Sequence, residues 1–276
     1  MLTDVLVPVI TYPEDAATAS LTKLTNLLGS FADHVTYCAL EIDVPALNDH
    51  WGSGLLGLGQ MAVEIEERSR NRAADLLAAL QAESRKLRSE TVSLRAAPGT
   101  FGLGVARQAR HHDLTAISMR EGSADQQAIA EDILFGSGRP LLLAPEALEY
   151  DAALNRLAIA WDGGQTAARA VYDAMPLIVK ANEVVVLTAN ADKPIQQVSV
   201  AALMRYLERH GASARLVEAN SSGSGIGADL QSAAKAEQAS LLVMGAYGHS
   251  RLREFVLGGA TAGVLRGPTL PVFMSR

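Results

Sequence analysis

The sequence predicts an α/β fold of two tandem domains, each a five-stranded parallel sheet with helices on both faces. Three observations predict it. Apolar runs of strand length alternate with longer segments of helical periodicity along the whole chain. The order β-α-β-α-β-α-β-α-β is completed once and then starts again near Leu157. Three stretches of the first half also echo the second: FADHVTYCAL with KANEVVVLTA, TVSLRAA with ARLVEA, and GSGRPLLLAP with LRGPTLPVFM. Strict alternation of strand and helix implies parallel strands joined by crossover helices that cover both faces.

In the first half, strands are expected at Val5 to Ile10, Val35 to Leu40, Thr91 to Leu94, Leu114 to Met119 and Pro140 to Leu143. Helices are expected at Glu14 to Leu28, Met61 to Leu87, Gly104 to His112 and Asp125 to Leu134. Val44 to Gln60, rich in glycine, reads as a long irregular loop, and its segment Trp51 to Gly59 could cap a first-half crevice. Charges such as Glu64, Glu67, Arg68 and Arg72 form the solvated face of a long helix. A linker is expected over Pro145 to Asn155, which divides the chain into domains 1–147 and 153–276.

In the second half, strands are expected at Leu157 to Trp161, Glu183 to Thr188, Ala214 to Val217, Leu241 to Met244 and Thr269 to Met274. The helices are Thr166 to Lys180, Val198 to His210, Ala228 to Glu237 and Ala260 to Arg266. Ser221 to Gly227, with three glycines and no lysine, fits neither a dinucleotide fingerprint nor a P-loop and reads as a mobile loop.

With 276 residues, the chain is long enough for two cores. A net charge of −6 and 5% aromatic residues argue against nucleic acid as the partner. The lone Cys38 excludes an internal disulfide and fits a buried core position in a reducing compartment. No apolar run is long enough for a membrane span, and MLTDVLVPVI lacks a basic n-region. A cytoplasmic protein without membrane attachment is the expectation.

The chemistry concentrates in LLVMGAYGHSRLREFVLGGAT, Leu241 to Thr261. A strand runs into Gly245 and Gly248, nine residues follow, and Gly258-Gly259 opens a helix at Ala260. Glycines admit a ligand close to the backbone, and the first N–H groups of a helix favour an anion. His249, Arg251 and Arg253 add positive charge to the loop. Asp162, after the first strand of this half, reads equally as an N-cap or Asx-turn residue. His111-His112 lacks further ligands for a metal site. No Ser–His–Asp, Cys–His or paired-carboxylate arrangement can be assembled.

The duplicated order of elements, with Gly-x2-Gly-x9-Gly and the late L-P-V-F strand, resembles the universal stress protein family. The chain looks like a tandem, two-domain member of this family. The resemblance implies Rossmann-like domains, some of which bind ATP, with Mg²⁺, at the carboxyl ends of the strands. Carried onto the second half, it implies that Ala160, Trp161 and Asp162 flank the adenosine. Thr188 or Ala189 at the second strand's end and Met244 help hold base and ribose. Gly245, Gly248, Gly258, Gly259 and Ala260 meet the phosphates. The family pattern has Ser or Thr where this chain has Gly259. Trp161 could stack on an adenine or occlude it.

The first half departs further. It lacks an Asp after its first strand, and its fourth strand ends Met119-Arg120-Glu121-Gly122, so at most Gly122 survives of the first glycine pair. Its site is read as degenerate. The resemblance further implies an intramolecular pseudo-dimer paired through Pro140 to Leu143 and Thr269 to Met274, with a homodimer of the whole chain left open. The favoured function is stress-response sensing or adaptation by adenine-nucleotide binding, with at most slow ATP hydrolysis. A non-nucleotide interaction protein, and a small-ligand binder or enzyme using the first-half crevice, stay open as alternatives.

Overall fold

The computed structural model describes residues 2–11, 18–44, 56–83, 87–149, 154–189, 197–248 and 259–276. The first half holds β1 (Asp4–Ile10), α1 (Thr18–Leu28), β2 (His34–Ile42), α2 (Leu56–Glu83) and β3 (Arg88–Ala96). It continues with α3 (Phe101–Ala109), β4 (Leu114–Met119), α4 (Ala124–Gly136) and β5 (Leu141–Pro145). The second half holds β6 (Arg156–Ala160), α5 (Gln165–Ile178), β7 (Glu183–Ala189), α6 (Gln197–Arg209) and β8 (Ala214–Ala219). It ends with α7 (Ile226–Ala236), β9 (Leu241–Gly245), α8 (Ala260–Arg266) and β10 (Val272–Ser275).

Among the described residues the strands form one ten-stranded sheet in the order β3-β2-β1-β4-β5-β10-β9-β6-β7-β8. Every ladder within a half is parallel. The two halves join where β5 and β10 pair antiparallel, with Phe273 opposite Leu142. The closing strands thus merge two five-stranded sheets into one.

Period-two alternation sorts the strand side chains onto two faces. Val5, Val7, Leu157 and Ile159 pack with α1, α2, α5 and α6, through residues such as Leu24, Leu80, Val171 and Leu203. Leu6, Ile10, Ala158 and Ala160 pack with α3, α4, α7 and α8, through Val105, Ile133, Leu230 and Val264. Cys38 is fully buried on this second face, and burial pushes its thiol up to about 12. The edge strands β3 and β8 are half exposed, whereas the strands between them are buried along nearly their whole length.

Two expectations are corrected. Helix α2 starts at Leu56, so residues 56–60 of the expected irregular segment are helical despite Gly57 and Gly59. Glycine costs about 1 kcal/mol per residue relative to alanine in a helix interior. A helix nucleated on the buried stripe of Ala73, Leu76 and Leu80 can extend through such positions. The remainder of the expected loop, residues 45–55, lies outside the described residues, and with it residues 51–55 of the expected cap. The second correction concerns Ser221 to Gly227. Ser222 donates both its backbone N–H (2.9 Å) and its hydroxyl to Oδ1 of the buried Asp229 in α7. These bonds hold the carboxyl below the usual carboxylate range and fasten the loop to its helix.

Helices α7 and α8 meet through bare backbone. A Cβ on Gly227 would lie 2.5 Å from the Ala260 carbonyl oxygen, and the Gly227 Cα lies 3.6 Å from the Cβ position of Gly263.

Candidate functional site

The second half has a topological switch point between β6 and β9. From β6 the chain proceeds outward to β7 and β8, then returns to β9 on the other side. Open α/β sheets bind ligands in the crevice that such a reversal opens at the carboxyl ends of the strands. The β6–β9 ladder stops at Ile159 paired with Val243. Beyond it β6 stays with β7, as the Trp161 N–H donates to the Leu187 carbonyl at 2.9 Å. The strands therefore part just below Asp162 and Gly245.

Asp162 is exposed, and its Oδ1 accepts the Gly164 N–H at 2.7 Å. That is an Asx turn, with Gly163 at φ +73° and Gly164 as the N-cap of α5. Of the two local roles open from sequence, the turn is the one adopted. The other carboxylate oxygen, Oδ2, faces the β9 exit, 4.0 Å from where a Cβ on Gly248 would stand. Such a Cβ would also lie 2.8 Å from Thr166 Oγ1. Gly245 is tighter still: its Cβ would stand 2.4 Å from the Ala167 nitrogen. Both glycines therefore let the β9 exit rest on the first turn of α5.

The chain then turns toward α8. Ala246 N–H bonds Ser275 O (2.8 Å), and Tyr247 N–H bonds Thr261 Oγ1 (3.0 Å). Tyr247 holds φ +51°, a left-handed conformation uncommon for a bulky residue. Gly259 is the N-cap of α8 and Ala260 its first residue, with no side-chain cap bond. The hydroxyl two residues past Gly259 is thus engaged with Tyr247.

The remaining expected residues lie around this crevice or outside the description. Ala160 and Met244 are buried at the ends of β6 and β9. Thr188 is buried and Ala189 half-buried at the end of β7. The Trp161 ring packs against the α5–α6 face, and its indole N–H donates to Ser199 Oγ at 3.2 Å. His249, Arg251 and Gly258 lie outside the described residues. Thr166, Tyr247 and Thr261 were not anticipated as contributors, and their roles follow from packing rather than from any motif.

Strand register refines the comparison of the halves. The β1–β4 ladder starts with Val5 opposite Leu114, and the β6–β9 ladder with Leu157 opposite Leu241. Aligning these pairs sets Ile10 at the place of Asp162, Ser118 at that of Gly245 and Glu121 at that of Gly248. Gly122 falls one residue too late to replace Gly248. It instead donates its N–H to the Arg266 carbonyl of α8.

Side chains near the first-half switch point are bonded internally. Thr11 is buried, donating to the Leu40 carbonyl at 2.7 Å and sharing a hydrogen bond with Ser69 at 2.6 Å. Arg120 meets Glu146 at 3.3 Å, while its N–H donates to Gln126 Oε1. At the opposite end of the strands, His112 lies 3.0 Å from Asp4, which opens β1.

An open parallel α/β sheet with a glycine-lined turn at its switch point defines a Rossmann-like class of protein. Residues 154–276 match the model described as the universal stress protein family. The fold of the entire chain is similar to that of a universal stress protein from Archaeoglobus fulgidus. The two share 16% identity and a TM-score of 0.69, covering 99% of this chain and 96% of that one. A functionally unknown protein from Pseudomonas aeruginosa is also similar, at 16% identity and TM-score 0.50, covering 98% and 92% of the two chains. Comparison with curated proteins gave no match. No helix among the described residues is long and apolar enough to cross a membrane.

Proposed function

We propose that the second half binds an adenine nucleotide, ATP with Mg²⁺, and that the protein serves as a stress-response sensor or adaptor. The observation that carries this reading is the Asp162 carboxylate facing Gly248 across the parted ends of β6 and β9. Asp162 Oδ2 would accept the ribose hydroxyls. The backbone at Gly248 and Gly259 and the first N–H groups of α8 would meet phosphate oxygens. Mg²⁺ binds phosphate oxygens and water together with one or two carboxylates, so its site would be completed largely by the nucleotide. ATP turnover is slow in this reading, because Asp162 is assigned to the ribose and no general base is evident in the sequence.

Mass spectrometry of small molecules released on denaturing the purified protein tests the reading. An adenine nucleotide released from the wild type and depleted from Asp162→Ala supports it. Equal release from both proteins removes the site.

A second reading, an interaction protein of the same family, is favoured by one observation. The Thr261 hydroxyl, the one nearest the expected Ser/Thr position, bonds Tyr247 N–H instead.

A further inference from the structure

Tyr247 lies between the two glycines of the second-half loop, yet its side chain leaves that half. Its hydroxyl donates to Oε1 of Glu131 in first-half helix α4 at 3.1 Å. Its ring lies 4.7 Å, centroid to centroid, from Phe135, one turn further along α4. The guanidinium of Arg276, just past β10, covers the Phe135 ring at 4.3 Å. Glu131 is itself steadied by Gln127, whose amide donates to the same Oε1 at 3.1 Å. The held residue adopts φ +51°, a conformation that persists only where its surroundings impose it.

We propose that Glu131 and Phe135 of the first half are positioning residues for the nucleotide loop of the second half. The inference rests on the nucleotide-binding reading above. It gives the first half a role: α4 fixes Tyr247, Tyr247 fixes Ala246 to Gly248, and these residues set the backbone facing Asp162. The Tyr247 N–H bond to Thr261 carries the same restraint to the first turn of α8. The second half would then be a complete binding unit only while docked on α4.

The test uses the full chain, with MgATP titration and amide hydrogen exchange in parallel. Glu131→Ala and Tyr247→Phe should each weaken MgATP about fivefold, the lower range for coupled sites. The double variant should be little weaker than either single one, because both remove one bond. Glu131→Gln should restore near wild-type affinity, since its amide oxygen still accepts the tyrosine hydroxyl. In ligand-free protein, Glu131→Ala should speed exchange at the Tyr247 amide while leaving the amides of β7 unchanged. Unchanged MgATP affinity in Glu131→Ala and Tyr247→Phe overturns the proposal, as does additive loss with no rescue by Gln. Wild type that binds no MgATP overturns the nucleotide reading and the affinity role built on it. The exchange measurement then decides separately whether α4 holds the loop.

Discussion

Leu142 and Phe273 face each other across the only antiparallel ladder described in the sheet, and each occupies the other's place in its own half. Leu142 stands opposite Ala116 of β4, as Phe273 stands opposite Val243 of β9. The pseudo-two-fold relation between the halves therefore passes through this pair. Both residues are buried, and both belong to a core face that contains side chains from the two halves. A single sheet and a shared core should unfold as one unit.

Phe273→Ala should therefore cost about 3–5 kcal/mol, the usual range for truncating a buried aromatic. It should move the unfolding of both halves together. Urea unfolding followed separately by fluorescence and by far-UV circular dichroism checks this. Non-coincident transitions in the wild type would show that the halves are independent.

Gly245→Val bears on the fold before it bears on any ligand. Its Cβ would enter the backbone of α5 at Ala167, where no rotamer change gives relief. A loss of about 1–3 kcal/mol or more is expected from such overpacking. A lowered midpoint of thermal unfolding without nucleotide would show it. Asp162→Ala, at an exposed turn, should leave that midpoint within a few degrees and is the better probe of binding.

Asp229 predicts a pH dependence. Its carboxyl is held below its ordinary value by the Ser222 hydroxyl and N–H, so the folded state favours the charged form. Its contribution to stability is fully present above the unfolded carboxyl value, about 3.9. It is lost as pH falls through the lower folded value. Asp229→Asn should flatten the acid limb of stability against pH and raise hydrogen exchange in the Ser222 to Gly225 loop. An unchanged acid limb would show that Ser222 does not restrain the carboxylate.

The alternation of strand and helix was legible because buried parallel strands read as continuous apolar runs, such as Leu241 to Met244 and Leu141 to Leu143. The closing strands were also expected to join the halves, and β5 and β10 do so. Register was not legible. Gly122 was the only glycine left as a candidate survivor of the pair, and the β4 ladder sets Glu121 at that place instead. The Ser222–Asp229 bonds were missed because a Ser/Gly-rich stretch was judged by composition, without the carboxylate seven residues later. The α4 contact of Tyr247 joins residues 116 positions apart, beyond any local pattern.

The central claim is tested most directly by calorimetric titration of the full chain with MgATP. The account predicts one site per chain, with affinity lowered about tenfold or more in Asp162→Ala, as for a lost hydrogen bond to a charged group. No binding heat at millimolar MgATP, or two equal sites unaffected by Asp162→Ala, would contradict it.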